Sequence, residues 1–221
     1  MTDKPHILSS FDDALHKVQN DLQVMTTLTK RNLENVTRCL LDGDIEACNA
    51  AIADDDEIDR LEVAVGQDGT DVLMRFQPVA KDLRLVVSAM RLCGDIERVA
   101  DQTVNIARKV RKLEVEQIAT YRDKLSSMIS EASALFADSI ASFQEEDVQL
   151  ARSIKQRDLH LDGLYAEITE QATANISENP KEVGAHLAVI LIARHLERMG
   201  DYAKNIADST LHAISDQEVR N

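Results

Sequence analysis

A chain of 221 residues with 44% hydrophobic residues can bury the core of one domain or of two small ones, which excludes disorder. Its formal net charge of −14 argues against nonspecific nucleic-acid binding, which needs Lys and Arg to displace counterions, and against docking on an anionic bilayer. Cations and basic protein surfaces are the natural partners of such a chain. Seven Gly, three Pro and no Trp, set against abundant Ala, Leu and charged residues, favour long helices over sheet.

The segment MTDKPHILSS has no apolar h-region, and the most hydrophobic patch, residues 189–193, is too short to span a membrane. The expectation is a cytoplasmic protein that meets membranes only through a partner. Apolar residues then recur at Phe11, Leu15, Val18, Leu22 and Met25, the alternation of three and four that marks a helix in a bundle. Asp42-Gly43-Asp44 supplies a glycine to end this helix and an aspartate to cap the next. Gln77-Pro78 and Asn179-Pro180 place a proline in the first turn of a following helix, with Glu182 positioned as the capping-box partner of Asn179. The spacing predicts helices over 10–41, 44–76, 78–113, 115–143, 147–177 and 180–213, with a kink in the second at Gly66 or Gly69. Cys39, Cys48 and Cys93 are odd in number and lack CxxC spacing, so they read as small core residues in a reducing compartment.

The pattern repeats. Tyr121, Leu125, Met128, Ala132 and Leu135 renew the first stripe, and Leu22, Met25, Asp44, Asp55 and Asp59 match Leu125, Met128, Asp147, Asp158 and Asp162 at an offset of 103. Ile96-Glu97-Arg98-Val99-Ala100-Asp101 with Asn105-Ile106-Ala107 returns as Leu196-Glu197-Arg198-Met199-Gly200-Asp201 with Asn205-Ile206-Ala207. The expected fold is all-α: two tandem, pseudo-symmetric three-helix bundles, residues 1–113 and 114–221, end to end or side by side.

Within this frame lie four acid pairs at helical spacing: Asp55/Asp59, Glu97/Asp101, Asp158/Asp162 and Glu197/Asp201. Chance alone gives about seven such pairs in a chain this acidic, so their number decides nothing. Their placement does. Asp55/Asp59 and Glu97/Asp101 are symmetric about Pro78, and Asp158/Asp162 and Glu197/Asp201 about the Asn179-Pro180 junction, so antiparallel hairpins bring them face to face. Like charges four apart repel, and the apolar stripes carry these acids toward the packed side, where a carboxylate is paired, protonated or metal-bound. Arg98 and Arg198 are the candidate ion-pair partners. The metal reading gives one all-oxygen site per half for divalent or trivalent ions such as Mg, Mn, Ca, Zn or iron, with Asn105 and Asn205 as additional neutral ligands. His6, His16, His160, His186, His195 and His212 do not recur at matched places, and the Glu-x-x-His pairs of di-iron oxidase bundles are missing. No phosphate loop, nucleophile elbow or Cys-His pair is recognisable, so the chain does not read as an enzyme.

Gln77-Pro78-Val79-Ala80-Lys81-Asp82-Leu83-Arg84, then Gly94-Asp95-Ile96-Glu97-Arg98-Val99-Ala100-Asp101, with the matching segment from Ala193 to Asp201, resembles the PhoU family of phosphate-uptake regulators. The resemblance implies two three-helix bundles whose acidic motifs, met here by the four pairs, lie on the surface or in a shallow groove and hold multinuclear metal clusters in some members. It further implies a cytoplasmic negative regulator that couples the phosphate ABC transporter, through its ATPase, to a sensor histidine kinase and represses the phosphate-starvation regulon. Val99-Ala100 stands where a bulky apolar residue and Gly are more usual, and Gln102 where an aromatic is common. The competing readings are a carboxylate-bridged di-metal oxidase or ferroxidase and a metal-free helical adaptor. Stripes of this kind serve an intramolecular bundle as well as a homodimer, so the oligomeric state stays open.

Overall fold

The computed structural model describes residues 4–218, with side chains described over 10–211 except at Val115. His6 and His212 therefore fall outside the described side chains. Among the described residues there is no strand, and no helix is long and apolar enough to cross a membrane. The first bundle comprises α1 (Lys4–Asp42), α2 (Ile45–Ala53), α3 (Asp55–Phe76) and α4 (Ala80–Val110). After the short α5 (Val115–Ile118) and one 3₁₀ turn, the second bundle comprises α6 (Arg122–Gln144), α7 (Val148–Glu178) and α8 (Val183–Glu218).

The expected stripes form the core. Val18, Leu22 and Met25 on α1 are buried, as are Tyr121, Leu125, Met128, Ala132 and Leu135 in the second half. Phe11 packs edge-on against Phe76, tying α1 to α3. The halves lie side by side: α4 packs on α8, α1 meets α6, and one continuous apolar cluster runs through both. The caps recur as well. Asp44 accepts the Ala47 amide at the start of α2, and Asp147 accepts those of Gln149 and Leu150 at the start of α7. Gly43 takes φ 69°, a conformation that favours glycine.

Four local expectations are corrected. The long second helix is divided at Asp54, whose amide closes α2 on Ala50 O, while Asp55, Asp56 and Glu57 open α3 where the helix dipole favours acids. Gly66 and Gly69 do not interrupt α3. A Cβ at Gly69 would lie 2.7 Å from Met90 Sδ, so this glycine admits the Met90 side chain. The helix expected from 115 is split into α5 and α6, with Tyr121 buried at the joint; its Oη accepts from Asn175 at 2.7 Å and lies 2.9 Å from His186 Nδ1. Finally, Asn179 makes no side-chain cap, and the capping box belongs to Glu114 and Gln117 at α5.

The cysteine reading also changes. Gly43 folds α2 back on α1, which sets Cys39 and Cys48 at a Cα separation of 5.3 Å, and the two form a disulfide. A gap of nine residues carries no sequence signal for this pairing, which only the turn reveals. Cys93 remains a buried free thiol, pushed up to about 12 by burial and by neighbouring acids led by Glu62. Releasing so short a loop is expected to cost about 2 kcal/mol, roughly 4–8 °C in melting temperature. Thermal unfolding with and without reductant measures this, and identical midpoints would sink the expectation.

Candidate functional site

Each half brings its four acids together across a helix hairpin. In the first, Asp55 and Asp59 on α3 face Glu97 and Asp101 on α4; in the second, Asp158 and Asp162 on α7 face Glu197 and Asp201 on α8. Their burial is graded. Asp59, Asp101 and Asp162 are exposed, Asp55, Glu97, Glu197 and Asp201 are intermediate, and Asp158 is buried at 2%. Seven of the acids thus lie at the rim of the bundle, and Asp158 alone sits inside it. For Asp55 and Asp59 the stripe extrapolated from Ile45, Cys48 and Ile52 crosses the break at Asp54 and loses its phase there.

Crowding shows in the protonation equilibria. Burial, then the charges of Asp101, Glu62 and Asp59, push Glu97 up to about 7 against the opposing pull of Arg98. Burial also raises Asp55 and Asp101, with Arg108 working the other way on both. In the second half burial, then Asp201 and Asp162, raises Glu197; burial, then Asp158, raises Asp162. In both halves the carboxylates raise one another, so positive charge placed among them would relieve the repulsion.

Part of that positive charge comes from the chain. Arg108 Nη2 lies 3.0 Å from Asp55, and Lys204 Nζ is held 2.6 Å from Asp158 and 2.7 Å from Asp201. Burial opposes the charge on Lys204, but these two hydrogen bonds outweigh it and hold the ammonium above the usual lysine range. Sequence reasoning missed both cations, although heptad extension reaches them: Arg108 stands seven after Asp101, and Lys204 seven after Glu197. The partners named from sequence go elsewhere. Arg98 pairs with Asp95 at 3.5 Å and lies over the Tyr202 ring, while Arg198 has no ion pair among the described residues.

Asn205, exposed on α8, stands within side-chain hydrogen-bonding reach of Asp95 on the other half. Asn105 lies one turn beyond Asp101 and is partly buried. His195, whose ring Nδ1 is 2.8 Å from Gln102 Oε1, belongs to the same seam and is lowered to about 4 by burial and by Lys109, Arg198 and Arg194. The cross-links Asp95 to Asn205, Arg98 to Tyr202 and Gln102 to His195 show α4 and α8 running antiparallel. On each helix the seam residues stand within a turn of the acids.

The donor set suits a hard cation. Asp158 Oδ1 is buried without a hydrogen-bond partner, and the Lys204 ammonium already occupies a cation position between two of the acids. Among the described residues, however, no three His, Cys, Asp or Glu side chains converge closely enough to hold an ion, so ligation requires the carboxylates to draw in. The deep seat of Asp158 depends on Gly200, where a Cβ would stand 2.6 Å from Asp158 Oδ1 and 2.7 Å from Leu161 Cδ2. The equivalent residue in the first half is Ala100, and there Asp55 keeps 20% side-chain exposure. Gly200→Ala is expected to displace Asp158 outward and to destabilise by about 1–2 kcal/mol. Chemical denaturation checks this, and an unchanged midpoint would show that α7 yields without cost.

Two stretches of the chain, residues 22–110 and 125–210, match the family model described as PhoU domain. Among curated proteins, the phosphate-specific transport system accessory protein PhoU homolog of Pseudomonas aeruginosa is 28% identical over 217 residues, covering 97% of this chain and 89% of that protein. The accessory protein PhoU homolog 1 of Thermotoga maritima is 28% identical over 203 residues, with coverage of 91% and 88%. The crystal structure of PhoU from Pseudomonas aeruginosa superposes with a TM-score of 0.80 at 26% identity, over 93% of this chain and 99% of that one. That of the phosphate transport system regulatory protein PhoU from Streptococcus pneumoniae gives a TM-score of 0.85 at 25% identity, over 93% and 97%.

Proposed function

The chain belongs to the PhoU family, and we propose that it acts in the cytoplasm as a negative regulator of phosphate uptake and of the phosphate-starvation regulon. It does so by contact, without catalysis, linking the ATPase of a phosphate ABC transporter to a sensor histidine kinase. The observation that carries this reading is the match of both repeats, over nearly the full chain, to accessory proteins of phosphate-specific transport. The quartets Asp55, Asp59, Glu97, Asp101 and Asp158, Asp162, Glu197, Asp201 are the metal-binding residues in this proposal. A bound ion there supplies positive charge that lets the carboxylates close. Asn105 and Asn205, one turn beyond Asp101 and Asp201, are the additional neutral ligands in this proposal.

The acids lie beside the α4 and α8 seam, which gives the regulator a physical means of coupling ion occupancy to the arrangement of its halves. Binding to the purified transporter ATPase and to the kinase's cytoplasmic portion tests the contact reading. Association that weakens as salt rises is expected from the net charge of −14. No binding to either partner would contradict the proposal.

A further inference from the structure

We propose that the groove between the C-terminal end of α4 and the first turns of α8 receives an acidic amphipathic helix from a partner protein. This deepens the reading of the chain as a contact-based regulator and rests on it. The groove has an apolar wall, a shallow floor and a basic wall. Leu187 and Leu191 form the apolar wall at 49% and 42% exposure, and Val183, one turn earlier and outside the recess, continues their stripe at 39%, so one apolar stripe of a core helix is left uncovered. Gly184, Ala185 and Ala188 form the floor, and Lys109, Lys112, Leu113 and Gln117 the facing side, around a recess of about 490 Å³. Nothing lies within 4 Å of where a Cβ on Gly184 would stand.

The basic wall is what specifies the occupant. Residues 108–112 read Arg-Lys-Val-Arg-Lys in a chain that has 39 acidic residues against 25 basic ones. Arg108 is taken by Asp55, but Lys109, Arg111 and Lys112 have no ion-pair partner among the described residues. Of these, Lys109 and Lys112 line the recess; Glu114, in the same linker, is occupied in capping α5, and Glu116 in the first turn of α5 leaves the cations in excess. The second repeat carries Asp-Ser-Thr-Leu-His at 208–212, the equivalent place, so the repeat's fold does not require these cations. Free positive charge beside a bare apolar stripe matches a segment with leucine-like residues on one face and carboxylates along its edge. The small floor residues leave room for side chains projecting at helical spacing, which favours a helix over an extended strand. The overall negative charge would repel an anionic membrane, whereas a single helix meets only the local patch.

The test uses the full chain and a fluorescent synthetic peptide with leucines at helical spacing and flanking glutamates, beside a scrambled peptide of the same composition and phosphatidylglycerol vesicles. The amphipathic peptide is expected to bind, the scrambled one not, and the variants K109E/K112E and Leu187→Ser each to bind about tenfold more weakly. All three side chains are at least partly exposed, and circular dichroism verifies that the variants fold. Equal binding of the scrambled peptide, no binding, or affinity unchanged by the variants would overturn the proposal. So would variant-sensitive binding of vesicles in place of the peptide, which would assign the groove to lipid. The regulatory reading fails separately, through a deletion that leaves phosphate control intact.

Discussion

Lys204→Met is expected to lower the stability of the metal-free protein by about 3 kcal/mol, because it leaves Asp158 buried beside Asp162, Asp201 and Glu197 without its ion-pair partner, Arg194 acting only on Glu197. The loss comes mainly from stranding a carboxylate that is 2% exposed, and only in small part from the exposed half of the ion pair with Asp201. Two companions separate these contributions. Asp158→Asn in the same background removes the stranded charge and is expected to recover most of the loss. Manganese or magnesium should also stabilise Lys204→Met more than the parent chain, because the ion no longer competes with an internal ammonium; about 2.7 kcal/mol corresponds to a metal concentration one hundred times Kd. Thermal unfolding across a metal titration reads all of this. If metal raises the parent's midpoint and leaves that of Lys204→Met unmoved, Lys204 is part of the ion's binding place and no stand-in for it.

The second large effect joins stability to binding with opposite signs. In chelator at pH 8, Glu97→Gln/Glu197→Gln is expected to be more stable than the parent, by about 1 kcal/mol from Glu97 after discounting for solvent screening of a half-exposed group. The sign follows from linkage. Glu97 titrates near 7 in the folded chain, against 4.5 for the ordinary glutamate of the unfolded one, so the folded state binds more protons between those values and loses stability as pH rises through them. Glutamine avoids that loss, so the advantage is full above pH 7 and gone below about pH 4.5. The same double variant should bind metal more weakly, on the order of a hundredfold, since each site loses a carboxylate. A variant less stable than the parent at pH 8 in chelator, or one with unchanged metal content by elemental analysis, would contradict the assignment. Residues that destabilise the apo fold and improve binding are the mark of a functional site.

The architecture was legible because the signals at several levels agree. The stripes from Phe11 and Tyr121, the turn at Gly43 and the symmetry of the acids about Pro78 and Asn179-Pro180 all point to hairpins in two repeats, and the structure pairs the acids as that symmetry requires. Features that depend on tertiary placement were not legible. Asp54 sits in a run of four acids that reads as continuous helix, and nothing in its neighbours announces the break. Cys39 and Cys48 meet only because Gly43 reverses the chain. Arg98 lies one residue from Glu97 in sequence, yet it faces the opposite repeat, since one residue of helical phase separates the quartet from the seam. Arg108 and Lys204 were within reach, because both continue the acidic stripes at heptad spacing.

The most direct test of the regulatory function is a phosphate-starvation reporter in the native host, grown in phosphate-rich medium, with the gene deleted and then restored. Deletion should release the reporter from repression, and the wild-type chain should restore control. A reporter that stays silent on deletion, in a host with no second copy of the gene, would contradict the regulatory function and leave only the fold and its carboxylate clusters standing.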